Sequence, residues 1–213
     1  GRGYVTYAYN ISGGAVVRWY RDSLAFYLKQ AAKERGCSVY DILNEMCPPE
    51  PTGLIVLPFL QGMGGTPDVL TGARGTIYGL TMHTSPADIY RAILEGLTFE
   101  MRYNLEKLAK YDVRPTTLFA AGGGAKSPVW RQIKADILGA ELRPTLAGEA
   151  GALGSAILGL AAATGETDRT ALAARFVRYG QTAKPDAQRH AYYEKQFALY
   201  KELREFEVRH ARG

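Results

Sequence analysis

Short apolar runs divide the chain and predict its strands. Runs of this length that are bounded by glycine or proline, or are rich in branched and aromatic residues, are typical of strands. The predicted strands span residues 4–9, 54–60, 76–80, 118–121 and 141–144. Pro58 lies inside the second run, so that strand is expected to end near it. The run at 118–121 is expected to be a buried strand.

Between these runs, apolar residues recur every three or four positions, which predicts helices. The predicted helices cover residues 15–35, 39–46, 150–164 and 169–176, and three more begin at Ser85, Ser127 and Pro185. The helix that begins at Ser85 is expected to be the longest. Its Gly96 costs about 1 kcal/mol of helix propensity relative to alanine, which favours a position where another backbone packs against it. Small residues at nearly every position of 150–159 predict a tightly packed core helix.

The segment after the strand at 118–121 combines three glycines with a helix start. Gly122, Gly123 and Gly124 follow at once, and glycine permits positive φ angles and a close approach of backbone to a ligand. Ser127 stands where a helix N-cap belongs, and Pro128 suits the first helical position. Such a segment suits phosphate, because a helix N-terminus presents free N–H groups and a partial positive charge. A tight turn without a ligand is the alternative interpretation.

Composition narrows the class of protein. The 213 residues suffice for one large domain or two small ones, and the 26 basic residues are interleaved with 21 acidic ones to give a net charge of +5. This pattern indicates neither a nucleic-acid surface nor a membrane span. Cys37 and Cys47 lack the spacing of a zinc site, and no metal site is assigned to His83, His190 or His210. A cytoplasmic location is expected.

Four stretches in a fixed order carry a resemblance to a known family. Residues 75–80 (GTIYGL) followed by 88–95 (DIYRAILE) resemble the C-terminal signature of the FGGY carbohydrate kinases. Residues 122–130 (GGGAKSPVW) resemble the adenosine motif of that family. Residues 11–21 (ISGGAVVRWYR) are similar to the helix that opens its C-terminal domain, and 149–154 (EAGALG) to its last motif helix. Together these stretches are far more specific than one glycine run.

The resemblance implies an α/β fold: an actin-like, ribonuclease-H-like lobe with a mixed sheet flanked by helices. In this family ATP binds between two lobes and a sugar hydroxyl is phosphorylated. Residues 1–213 would be the C-terminal, nucleotide-binding lobe. The N-terminal lobe, which carries the catalytic aspartate, the first phosphate loop and most sugar contacts, is expected to be absent. The chain alone is therefore expected to be inactive, and no catalytic residue is assigned to it.

The resemblance also implies the ligands. The nucleotide-binding residues would be Gly122, Gly123, Gly124, Ala125, Lys126 and Ser127. The backbone of Gly123 and Gly124 would lie against the α-phosphate and ribose. Mg²⁺ would accompany ATP, with its protein contacts in the absent lobe. A pentulose or polyol-like sugar is the expected substrate, and a homodimer is a further expectation. Residues 62–67 (GMGGTP) lack the Gly-Glu-Arg of many relatives, so no role is carried over to them.

Several alternatives stay open from the residues alone. Ser127 would either bond adenosine or only cap its helix, and Lys126 would either reach phosphate or stay solvated, the solvated state being the default. Trp130 is expected in the core rather than stacked on adenine. A stand-alone regulatory module on the same fold is a second candidate function. A dinucleotide-dependent dehydrogenase is a third, although residues 122–127 lack the last glycine of GxGxxG and no acidic residue ends a second strand about 20 positions later.

Overall fold

The structure, a computed structural model, describes residues 6–64 and 69–212. Its helices are α1 (Gly14–Ser23), α2 (Leu28–Arg35), α3 (Val39–Met46), α4 (Pro86–Ala109), α5 (Gly123–Lys126), α6 (Pro128–Leu138), α7 (Ala150–Thr164), α8 (Arg169–Phe176) and α9 (Ala187–Arg212). Its strands are β1 (Ile55–Leu57), β2 (Thr76–Tyr78), β3 (Thr117–Ala120) and β4 (Glu141–Pro144). Within these ranges, every helix is too short or too polar to span a bilayer.

The strands form one antiparallel and one parallel pair. β1 runs antiparallel to β2, with Ile55 opposite Tyr78. β3 runs parallel to β4, with Thr117 opposite Glu141. The parallel pair is connected through α5 and α6, as a crossover between parallel strands requires. Antiparallel and parallel pairing are thus both present, in two separate two-stranded ladders among the described residues.

Helix α4 forms the centre of the core. Ser85 and Asp88 close a capping box at its start, in which the Ser85 side chain accepts from the Asp88 N–H and Asp88 accepts from the Ser85 N–H. From Tyr90 to Glu100 every residue is buried, so packing surrounds this helix on all sides. A Cβ on Gly96 would collide with the carbonyl oxygen of Val56 in β1. The prediction that another backbone packs against Gly96 is confirmed.

Helix α9 covers α4 with aromatic side chains. The ring of Phe99 in α4 lies 5.8 Å from that of Phe197 and 5.2 Å from that of Tyr200, centroid to centroid. The buried Tyr200 hydroxyl donates to Glu100 Oε1 over 2.8 Å, which satisfies its polar end. This aromatic cluster joins the C-terminal helix to the main core.

Two ion pairs are buried in the same region. Arg91 Nε lies 2.7 Å from Glu95 Oε1, which also accepts from the Tyr193 hydroxyl over 2.7 Å. Arg204 Nε lies 2.6 Å from Glu100 Oε1. Burial raises the pKa of Glu95 to about 7, because removal from water penalises its charged form. Neighbouring groups such as Tyr193 and Tyr200 complete the hydrogen bonding of both pairs, and loss of one ion-pair partner would leave a buried charge uncompensated.

The helix predicted over residues 15–35 is wrong as a single element. α1 ends at Ser23 and α2 begins at Leu28. Ala25 between them is fully buried, whereas Leu24 and Tyr27, which carried the helical spacing, are exposed. The break turns the chain so that α2 packs beside α3, and only these tertiary contacts decide it.

Other sequence expectations also need correction. The helix that begins at Ser85 spans 24 residues and is not the longest, because α9 spans 26. β3 is only partly buried, and 60% of Phe119 is exposed. α7 is no core helix either: it buries only Ile157 and Ala161, against Leu172 of α8. The strand expected at 4–9 is not formed at residues 6–9, which are irregular, and residues 4–5 lie outside the described part of the chain.

Candidate functional site

A cavity of about 580 Å³ opens beside the glycine-rich segment. Its walls come from α1, from α3 and its cap, from the start of α4, and from the segment between β3 and α6. The lining residues are Gly14, Val17, Arg18, Arg21, Ser38, Tyr40, Asp41, Asn44, Tyr90, Gly123, Gly124, Lys126, Ser127 and Trp130. This volume falls within the range of small-molecule sites.

The glycine-rich segment divides between two cavities. Gly123, Gly124, Lys126 and Ser127 line the larger one. Gly122 and the buried Ala125 line a neighbouring cavity of about 350 Å³ instead. The structure therefore brings four of the six expected nucleotide-binding residues to one site.

The three glycines have different structural reasons to be glycine. Gly122 has φ +80°, a conformation that side chains rarely adopt, and it turns the chain from β3 into α5. A Cβ on Gly123 would have no described heavy atom within 4 Å, so this residue presents bare backbone to open space. A Cβ on Gly124 would lie 2.7 Å from Cζ3 of Trp130. Gly124 is thus required by the indole ring and not by a positive φ.

Ser127 caps α6 and also contacts α3. Its Oγ accepts from the Trp130 N–H over 3.1 Å, as expected for an N-cap. Its hydroxyl donates to Asn44 Oδ1 over 2.8 Å, and the Tyr90 hydroxyl donates to the same oxygen over 3.2 Å. These bonds tie the glycine-rich segment to the opposite wall of the cavity.

Cationic side chains line the same cavity. Arg21 is held by Asp22, whose Oδ2 lies 2.7 Å away, and its guanidinium lies 5.2 Å from the ring centroid of Tyr40. The side chains of Arg18 and Lys126 are exposed and have neither an ion pair nor a hydrogen bond to any residue that the structure describes. Their charges are therefore free to meet an anion.

Trp130 both packs on the core and lines the cavity. Its Nε1 donates to Thr98 Oγ1 over 3.1 Å, which anchors the ring to α4. The Lys134 ammonium lies 4.1 Å from the ring centroid, and burial lowers the pKa of Lys134 to about 8. The expected core position of Trp130 holds, although one part of the ring reaches the site.

The described residues offer little to a metal ion. They contain no group of three or more histidine, cysteine, aspartate or glutamate side chains in ligand geometry. The carboxylate at the cavity is Asp41, whose Oδ2 accepts from the backbone N–H and the hydroxyl of Ser38 at 2.9 and 2.8 Å. His190 pairs with Glu194 at 3.3 Å, an i,i+4 contact that the sequence reasoning overlooked.

Several cavity residues were missed at the sequence level. Arg18 lies inside the stretch 11–21, which contributes to the family resemblance, but no functional role was expected for this arginine. Asn44 and Tyr90 lie on helices far away in sequence and carried no functional signal. Only the packing of α3 and α4 against the glycine-rich segment brings them to the site.

Comparisons with known proteins agree with this geometry. Residues 2–163 match the family model for the C-terminal domain of the FGGY family of carbohydrate kinases. The gluconokinase of Bacillus subtilis (strain 168) is 36% identical over 164 residues, which are 74% of this chain and 31% of that protein. The xylulose kinase of Escherichia coli (strain K12) is 34% identical over 148 residues, which are 69% of this chain and 30% of that protein.

Solved structures give the same result. The crystal structure of a ligand-bound xylulose kinase from Lactobacillus acidophilus superimposes with a TM-score of 0.77 at 26% identity. The alignment covers 94% of this chain and 39% of that one. The fold is accordingly the actin-like, ribonuclease-H-like α/β fold of these kinases. The chain spans roughly a third of the length of the curated relatives it matches.

Proposed function

Because the chain belongs to the FGGY family of carbohydrate kinases, we propose that residues 1–213 form the C-terminal, nucleotide-binding lobe of an ATP-dependent kinase. The kinase would phosphorylate a hydroxyl of a pentulose or polyol-like sugar. Relatives named gluconokinase and xylulose kinase support a sugar acceptor in general. The match to this family removes the dehydrogenase alternative. A cytoplasmic location and a homodimer stay predictions.

One observation carries the proposal. The cavity joins bare glycine backbone at Gly123 to the free cations Arg18 and Lys126. Backbone without a Cβ permits close contact with the α-phosphate and ribose, and the cations complement the charge of the phosphate chain. Asn44 and Ser127 add polar groups on another wall, as expected of a site that fixes the orientation of a small molecule.

The described residues would bind and orient the nucleotide rather than perform the proton transfer. Phosphoryl transfer depends mainly on positioning and on charge stabilisation around the phosphate. The cavity carboxylate, Asp41, is already bonded to Ser38 within the cap of α3. These hydrogen bonds lower the pKa of Asp41 and make it a weak base, so the general base is proposed to lie outside the described residues.

Magnesium has no fitting ligand set among the described residues of this cavity. Mg²⁺ requires oxygen ligands in near-octahedral geometry, usually one or two carboxylates with water and phosphates. Asp41 is the one carboxylate among the described lining residues, its Oδ2 is held in the cap of α3, and the unpaired side chains of Arg18 and Lys126 nearby are cationic. If Mg²⁺ accompanies ATP here, its protein ligands must come from elsewhere in the kinase.

Calorimetric titration of the 213-residue chain with ADP, ATP and adenosine tests the proposal. We expect both nucleotides to bind and Arg18→Ala to weaken ATP binding by roughly tenfold while it changes adenosine binding little, because the guanidinium meets phosphate. Arg21→Ala is the matched control, since Arg21 is already paired with Asp22. Absence of nucleotide binding, or equal losses for both variants, would contradict this assignment.

A further inference from the structure

Asn44 is oriented by two hydroxyl groups on its carbonyl side. The hydroxyls of Ser127 and Tyr90 both donate to Asn44 Oδ1, over 2.8 and 3.2 Å. Burial raises the pKa of Tyr90 above its usual range, so this hydroxyl keeps its proton and acts as a donor. With Oδ1 occupied, the Nδ2 amide group has no hydrogen-bond partner among the described residues, and the half-buried side chain lines the cavity.

Ser127 is restricted in the same network. Its oxygen accepts one hydrogen bond from the Trp130 N–H, and its proton points at Asn44 Oδ1. A hydroxyl has one proton and two lone pairs, so one acceptor position of Ser127 stays available and no donor does. The cavity wall therefore presents an acceptor, Ser127 Oγ, next to a donor, Asn44 Nδ2.

We propose that Asn44 determines the nucleobase specificity of the nucleotide site, by fixing Ser127 as an acceptor and by donating its own amide N–H to a ring nitrogen. This acceptor–donor pair complements adenine, which has an exocyclic amine donor beside the acceptor N1. Guanine carries the opposite pair, the acceptor O6 beside the donor N1–H. The inference rests on the proposed nucleotide function and deepens it.

The purine preference of the 213-residue chain tests this inference. We expect ADP to bind roughly a hundredfold more tightly than GDP, since two hydrogen bonds are each worth about tenfold. An ADP analogue with N1 replaced by C–H should bind about tenfold more weakly than ADP, because one hydrogen bond is lost. This second measurement needs no variant and is independent of any folding defect.

The decisive variant is Asn44→Asp. A carboxylate still accepts from Ser127 and Tyr90 but donates nothing, and it suits the N1–H of guanine. The ADP-to-GDP affinity ratio should fall by about tenfold or more. Asn104→Asp is the matched control, because Asn104 lies in α4 outside the cavity and its Nδ2 donates to Asn10 Oδ1. The ADP-to-GDP affinity ratio of this variant should stay at the wild-type value.

The outcomes separate the inference from the function beneath it. An unchanged ratio in Asn44→Asp, or equal binding of ADP and its N1-substituted analogue, overturns the inference and leaves nucleotide binding intact. A wild-type preference for GDP also overturns it, since it would mean that the amide presents its carbonyl. Binding of neither nucleotide overturns the proposed function and the inference with it.

Discussion

The carbonyl oxygen of Val56 occupies the space in which a Cβ of Gly96 would lie. Strand β1 can therefore approach helix α4 only because residue 96 has no side chain. We predict that Gly96→Ala destabilises the chain by roughly 2–3 kcal/mol, because the cost of overpacking exceeds the gain in helix propensity. Gly159→Ala in α7 is the control: no described heavy atom lies within 4 Å of its Cβ position, so it should stabilise by about 1 kcal/mol.

Urea unfolding of both variants measures these changes. If both substitutions changed the free energy of unfolding by the same amount, helix propensity alone would determine that change. The structure would then accommodate a Cβ between α4 and β1 at little cost in free energy.

Glu95 should give the stability of the chain a distinctive pH dependence. Its pKa is raised to about 7 in the folded state, against about 4.3 in an unfolded chain. Between about pH 4.3 and 7, Glu95 is therefore mostly protonated in the folded state and mostly ionised in the unfolded state. The stabilising contribution of Glu95 to the free energy of unfolding is therefore complete below about pH 4.3. It is lost as the pH rises to about 7, and the loss is on the order of 3 kcal/mol.

Comparison with Glu95→Gln isolates this effect. The variant lacks the titrating group, so the difference in unfolding free energy between wild type and variant should decline from pH 4.3 to 7. A difference that does not change with pH would mean that Arg91 keeps the carboxylate ionised throughout.

The glycine-rich segment should separate binding from stability. Gly123→Ala adds a methyl group to open space at the cavity, so we expect nucleotide affinity to fall by roughly tenfold with an unchanged melting temperature. Gly124→Val meets the ring of Trp130 and should lower both affinity and melting temperature. Lys126→Ala should cost about 1 kcal/mol of binding or less, because the charge of an exposed lysine is screened by water even where it faces phosphate.

Calorimetry measures the nucleotide affinity of the three variants, and thermal melts measure their melting temperatures. If Lys126→Ala abolishes binding while Gly123→Ala leaves it intact, the lysine charge holds the nucleotide and the backbone does not.

Phe119 and Tyr179 form an exposed aromatic pair beside the parallel strands. Their ring centroids are 5.0 Å apart, and 60% and 48% of the two residues are exposed. Exposed apolar groups beside a strand edge favour association. We predict concentration-dependent self-association of the chain, weakened roughly tenfold by Phe119→Ser through loss of buried apolar area.

Sedimentation at several concentrations measures this association. Met82→Ser, at an exposed methionine outside this pair, is the control and should change nothing. A monomer at every concentration would contradict the prediction.

The sequence by itself determined the elements whose signals are local. The cap residues Ser38, Ser85 and Ser127 begin α3, α4 and α6, because a side-chain oxygen next to free N–H groups acts within one turn. β4 also ends where its residues predict. The order of the four stretches described in the sequence analysis was enough to identify the family, because the resemblance depends on residue type and on spacing along the chain.

The tertiary structure decided everything that depends on distant partners. The break between α1 and α2, the exposure of α7 and the greater length of α9 follow from what each segment packs against, which periodicity does not encode. Gly124 is needed because the ring of Trp130, six positions further along the chain, packs against it, and the packing of α6 rather than a local propensity puts the ring there. Asn44 becomes a site residue only because its carbonyl accepts from hydroxyls 46 and 83 positions further along the chain, and hydrogen bonds over such separations form only once the core has assembled.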